Sequence, residues 1–258
     1  MSKGPPPYRR AVLGMGARGV GRDVLRTVAE FARLLRLEML GLFIEDRSLL
    51  ALAALPFARE LRLPGHDWRA LEVQGIADEL RAAALRARKL FEEEIEPQGI
   101  AYSFEVQRGD PAILSGNVTR PTDILIVVEP DASEMLACGW EPTRWAAATS
   151  AAAVLLLPRS GMPRRGPIAA IAASNSDPSF QLAAWLAAAM GEKALAIPSA
   201  DPASTAALLA SLHRVLGFHQ ERLLILPREA AMPEELPLEL AAQRRVPILV
   251  INAEHQPD

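Results

Sequence analysis

Residues 11–35, AVLGMGARGVGRDVLRTVAEFARLL, hold the stretch whose residue types and spacing come nearest to a known chemistry. Gly14, Gly16 and Gly19 spell G-x-G-x-x-G between a strand-like run and a helical pattern, the context in which dinucleotide-binding proteins hold a pyrophosphate. Such glycines permit a tight turn and a close backbone approach to phosphate, and Arg18 and Arg22 lie where a helix N-terminus attracts anions. The same chemistry needs an acid about twenty residues further on to hold the ribose. Here the next strand-like run ends in Glu45 and Asp46, and Glu45 stands 31 positions after Gly14. The stretch therefore reads in three ways: a dinucleotide loop, an anion site of another kind, or a glycine-rich turn before a solvated helix. The anion site would use Gly14, Gly16, Arg18 and Gly19 together with Arg108 and Gly109. A dehydrogenase would also need a general acid or base, and no such constellation is present.

Composition narrows the partners. Half of the 258 residues are hydrophobic and 23% are charged, a globular balance, and the net charge of -3 gives no basic surface to track nucleic acid. A single cysteine, Cys138, allows no intrachain disulfide, and the four histidines have no Cys partners for structural zinc. No metal or catalytic residue is assigned, and the serines lack a G-x-S-x-G elbow. The longest apolar run, 146–157, is too short to span a bilayer, and the apolar stretch after residue 10 is broken by Arg18, Arg22 and Asp23, too early for a signal-peptide core. A cytoplasmic protein that engages neither membrane nor nucleic acid is expected.

Those candidate residues need a scaffold, and the pattern supplies one. Short apolar runs alternate with longer amphipathic ones, as in βαβ units around a parallel sheet buried on both faces. Strands are expected at RAVLGMG, EMLGLFIED, AYSFEVQ, DILIVVE and AAVLLLP, with helices near 21–36, 76–96, 111–119 and 143–152. After a Pro/Gly/Arg linker the pattern restarts, with strands at PIAAIAAS, KALAIPS, ERLLILP and VPILVIN and helices near 178–190, 202–216 and 234–243. TDILIVVEPDAS corresponds to ERLLILPREAA, and AAVLLLPRS to VPILVINAE, an internal repeat. The fold class is α/β: two Rossmann-like open parallel sheets in tandem, five strands in the first and a reduced four-strand second copy. The expected division is a flexible tail 1–9, a first domain 10–160, a linker 161–167, a second domain 168–253 and a tail 254–258.

The segment VQRGDPAILSGNVTRPTDILIVVEP resembles the universal stress protein family, whose members carry a G-x-P-A turn, a helix and an A-D-L-I-V-V-G strand. Gly109, Pro111, Ala112 and Asp123 occupy those positions, and the likeness extends over residues 9–158. It makes RGD at 108–110 a strand-to-helix turn and implies a tandem, two-domain member whose last strands meet. ATP-binding members place an Asp after the first strand and G-x-x-G-(x9)-G-[ST] after the fourth. This chain has Gly16 and Ala17 at the first place and, at the second, Glu129, Asp131 and Glu134, which would repel a triphosphate, and Pro130, which removes one N–H donor. The resemblance therefore implies the fold without its usual ATP motif. It points to a non-enzymatic binding or regulatory module in stress response, with no cofactor. A slow ATPase that binds ATP at the glycine turn is the alternative.

The insertion at 47–75 is too apolar for a free loop. It reads either as one or two short helices, Leu49 to Leu63, packed over the sheet, or as a docking surface that exposes Phe57, Arg59, His66 and Trp68. Strand edges and this insertion also allow a homodimer. SNSDPS at 174–179 reads as a helix cap, and Trp140 and Trp145 as anchors buried between the repeats or at an interface.

Overall fold

The computed structural model describes residues 8–62, 65, 67–110, 114, 117–129, 151–163, 165–198, 204–217, 219–228, 233 and 236–252. The first half runs β1 (Arg10–Met15), α1 (Arg22–Leu35), β2 (Glu38–Asp46), α2 (Arg47–Ala53), β3 (Arg59–Arg62), β4 (Asp67–Ala70), α3 (Val73–Ile95), β5 (Tyr102–Gly109), β6 (Asp123–Val128) and β7 (Ala153–Leu157). The second runs β8 (Ile168–Ile171), α4 (Pro178–Met190), β9 (Ala194–Ile197), α5 (Thr205–Leu216), β10 (Leu223–Arg228), α6 (Leu236–Arg244) and β11 (Ile248–Asn252). The helices expected at 111–119 and 143–152 fall largely outside the described residues, as do Cys138, Trp140 and Trp145.

Nine strands form one sheet in the order β5-β2-β1-β6-β7-β11-β10-β8-β9. Two open sheets are expected from the sequence; the described strands instead join edge to edge, because β7 pairs antiparallel with β11, Leu155 opposite Leu249 and Val154 opposite Val250. Asn252 extends the seam by donating from its side chain to the Ala151 carbonyl at 2.6 Å. All other pairings in this sheet are parallel. Reversal at the seam points the carboxyl ends of β1 and β8 toward opposite ends of the sheet, so the turns that follow them are far apart.

Strands this apolar must be covered on both faces, and two cores do so. On one face α1, α3 and α4 bury Phe31, Phe91 and Leu186 against Leu13, Leu155 and Leu249. On the other, α5 and α6 bury Leu212 and Leu240 against Leu156, Leu224 and Val250. α1 owes its position to a strict apolar stripe through Val24, Leu25, Val28, Phe31, Ala32 and Leu35, and stops where Arg36 turns left-handed. Arg222 at the start of β10 reaches Glu30 on α1 at 3.1 Å, which ties the halves across the seam.

The segment between β7 and β8 is held by Gly166, whose φ of +136° is open to glycine alone. A Cβ there would lie 2.6 Å from the Gln220 carbonyl oxygen and 3.0 Å from the Arg222 amide. Gly166→Ala should cost about 1–3 kcal/mol or more, since backbone must shift on both sides. Urea melts of both proteins check this; equal midpoints would refute it.

Candidate functional site

β1 ends at Met15, and the chain turns at once: the Gly19 amide donates to the Gly16 carbonyl at 2.9 Å, with Gly19 at φ +70°. This is the turn that the glycine spacing predicts, and Gly19 is the residue whose backbone requires it. At Gly14, Gly16 and Gly21 a Cβ would meet nothing within 4 Å, so packing does not select glycine there. Gly21 caps α1 without a side-chain acceptor, which leaves the first amides of the helix uncapped.

The charge around this turn is balanced internally. Arg22 donates to Glu94 at 2.6 Å and to Glu93 at 2.8 Å, and Arg26 reaches the other oxygen of Glu94 at 2.8 Å. The hydrogen bond from Arg26 is the main cause that holds the Glu94 carboxyl below its ordinary range; Arg22 adds to it, and desolvation opposes both. Arg22 is in turn raised by the same two carboxylates. Beneath the turn lies a cavity of about 120 Å³ with an apolar floor of Met15, Leu25, Ala87 and Leu90 and with Arg18 and Arg86 on its wall.

Arg108 and Gly109 do not join the glycine turn. They end β5, and β2 lies between that strand and β1. Strand register sets Arg108 opposite Glu45, and both its Nε and Nη2 donate to one Glu45 oxygen, at 2.9 and 2.7 Å. Glu45 is 7% exposed, so its carboxylate is committed to this pair and is not presented to a ribose. The anion site that joins Arg108 to Gly14, Gly16 and Gly19 is not assembled in this structure, where the guanidinium pairs with a carboxylate near the end of the neighbouring strand. Gly109 serves packing: a Cβ would fall 2.9 Å from Leu114.

Strand order reverses between β1 and β6, which makes the crevice above their carboxyl ends the usual ligand position in such sheets. Glu129 follows β6 there, its amide bonded to the Leu157 carbonyl at 2.8 Å and its own carbonyl taken by Arg159 at 2.9 Å. Pro130, Asp131 and Glu134 lie outside the described residues, as do Pro111 and Ala112. In the second half, Asp177 caps α4 by accepting from the Ser179 amide at 3.0 Å, with Pro178 opening the helix, as SNSDPS predicts.

The insertion departs from the expected helices. Asp46 caps a short α2 by accepting from the Ser48 amide at 2.8 Å, but Arg59–Arg62 and Asp67–Ala70 pair antiparallel as a two-stranded ribbon, β3 with β4. Pro56 just before it disfavours continuing the α2 helix into this segment. Phe57 and Trp68 are 76% and 62% exposed and Arg59 is exposed, whereas His66 lies outside the described residues. The reading that buries this segment over the sheet is therefore wrong for these side chains. Sequence reasoning missed the pairing of Glu45 with Arg108, although strand alternation carries a signal for it: both residues end their strands on one face. It also missed Glu93, Glu94 and Arg86, which helical periodicity presents only as a solvated stripe.

Among the described residues no cluster of His, Cys, Asp and Glu could hold a metal, and no helix is long and apolar enough to cross a membrane. No family model and no curated protein matches the chain. Among solved structures, a candidate universal stress protein from Pseudomonas aeruginosa UCBPP-PA14 is 13% identical over 95% of this chain and 93% of its own, with a TM-score of 0.53. A functionally unknown protein from Pseudomonas aeruginosa PAO1 is 13% identical over 95% and 92%, also with a TM-score of 0.53. The cytoplasmic domain of a prokaryotic cation chloride cotransporter is 12% identical over 95% of each chain, with a TM-score of 0.48. At these identities the first two show a shared fold, the α/β architecture of a universal-stress-protein-like chain.

The Glu94 cluster yields a pH test. A carboxylate whose folded pKa lies below its ordinary 4.5 adds stability that is fully present above that value and is lost as pH falls through the depressed one. Glu94→Gln should therefore be less stable than wild type at neutral pH, with the difference closing as pH falls below 4.5. Urea melts at several pH values check this, and a gap independent of pH would contradict it.

Proposed function

We propose that this chain is a non-enzymatic, tandem universal-stress-protein-like binding module of the cytoplasm, with a reduced second copy and without the family's usual ATP site. The observation that carries the reading is that two of the nearby cations are already paired: Arg22 with Glu93 and Glu94, and Arg108 with Glu45. A further carboxylate, Glu129, stands at the crevice where a triphosphate would lie. Regulation in stress response is the role that the fold likeness suggests, exerted through protein contacts at the insertion 47–75, where Phe57, Arg59 and Trp68 are exposed. The competing reading places ATP at Gly14, Gly16, Arg18 and Gly19, and it draws on the open turn and the uncapped start of α1.

Thermal shift separates the two. The binding module predicts no change in Tm with ATP or NAD, for wild type and for Arg18→Glu alike. A stabilisation by ATP that Arg18→Glu abolishes would overturn the proposal and place a nucleotide on the glycine turn.

A further inference from the structure

The β3–β4 hairpin pairs with no other strand among the described residues. A lone two-stranded ribbon is marginal in water and needs further strands or a packed face. This ribbon has an apolar face ready to pack. Leu61 stands opposite Trp68 in the register, so both point to one side, 44% and 62% exposed, with Arg59 and Ala70 on the same side. Glu60, Asp67 and Arg69 alternate onto the other side. Leu49, Leu52, Leu55 and Phe57 just before it are exposed as well, which concentrates large apolar groups in this one part of the chain. A patch of that kind marks an interaction site.

The sequence of β4, Asp67-Trp68-Arg69-Ala70, is complementary to itself, and all four residues are exposed. When two identical strands pair antiparallel about a two-fold axis at Trp68, Asp67 faces Arg69 of the second copy and Arg69 faces its Asp67. Opposite charges directly across strands stabilise a pair, and the two Trp68 rings meet on the apolar side. We propose that β4 docks edge to edge on β4 of a second copy of this chain, making a four-stranded sheet with Leu61 and Trp68 of both copies on one face. The proposal rests on the reading of residues 47–75 as a docking surface and states what docks there. It ends the isolation of the ribbon and satisfies the backbone groups along the β4 edge.

Charge reversal on the full chain tests it by sedimentation velocity. Wild type should sediment as a dimer at about 100 μM, while Asp67→Arg and Arg69→Asp each set like charges opposite one another at both symmetric positions and should raise Kd roughly tenfold. An equimolar mixture of the two variants restores opposite charges at every position and should return the dimer. Damage within one hairpin would not be repaired by mixing, so the rescue reads the contact between copies. A monomeric wild type, a dimer that neither variant weakens, or variants that mixing fails to rescue would each overturn the proposal. So would a monomer that co-sediments with phosphatidylserine vesicles, which would assign the patch to a lipid surface. No nucleotide enters the experiment, so its failure is distinct from failure of the binding-module reading.

Discussion

The antiparallel pairing of β7 with β11 is the contact on which the rest of the molecule depends. Every residue of β7 is buried, and so is β11 except for its last residue. As edges of two separate sheets, these strands would expose unpaired amides and carbonyls beside an apolar surface, the arrangement that invites aggregation. Pairing them leaves β5 and β9 as the edges of one sheet. It also sets a direction: because the strands reverse at the seam, the glycine turn after β1 and the Ser/Asp turn after β8 lie at opposite ends.

Much of this architecture is legible in the sequence because strands covered on both faces must be apolar throughout. DILIVV and ILVIN admit few other readings, and the helices between them show their stripes plainly. The meeting of the two last strands, β7 with β11, is implied by the family resemblance and not by apolar periodicity, which reports which faces are covered but not which edges meet. Glu45 and Arg108 are 63 residues apart, and only register sets them side by side. The hairpin is misread for a different reason: each strand is four residues long, too short for a period of two to stand out against the surrounding leucines.

The site follows from charge more than from shape. Gly14, Gly16 and Gly19 do form an open turn before an uncapped helix, so their backbone suits an anion. The proposed binding module rests on the side chains instead, because Arg22 and Arg108 are already paired with carboxylates and would have to exchange those partners for a ligand. A fold shared at 13% identity supplies a scaffold and no chemistry, so the function must be argued from these residues. The proposal therefore looks to the exposed apolar groups of the insertion, Phe57 and Trp68, for recognition.

Mass spectrometry of the small molecules released when freshly purified protein is denatured, beside a control of known nucleotide content, tests the central claim most directly. The account predicts no stoichiometric nucleotide in the extract. A stoichiometric adenine nucleotide would contradict it, and would mean that the glycine turn binds phosphate despite Glu129 and the ion pairs of Arg22 and Arg108.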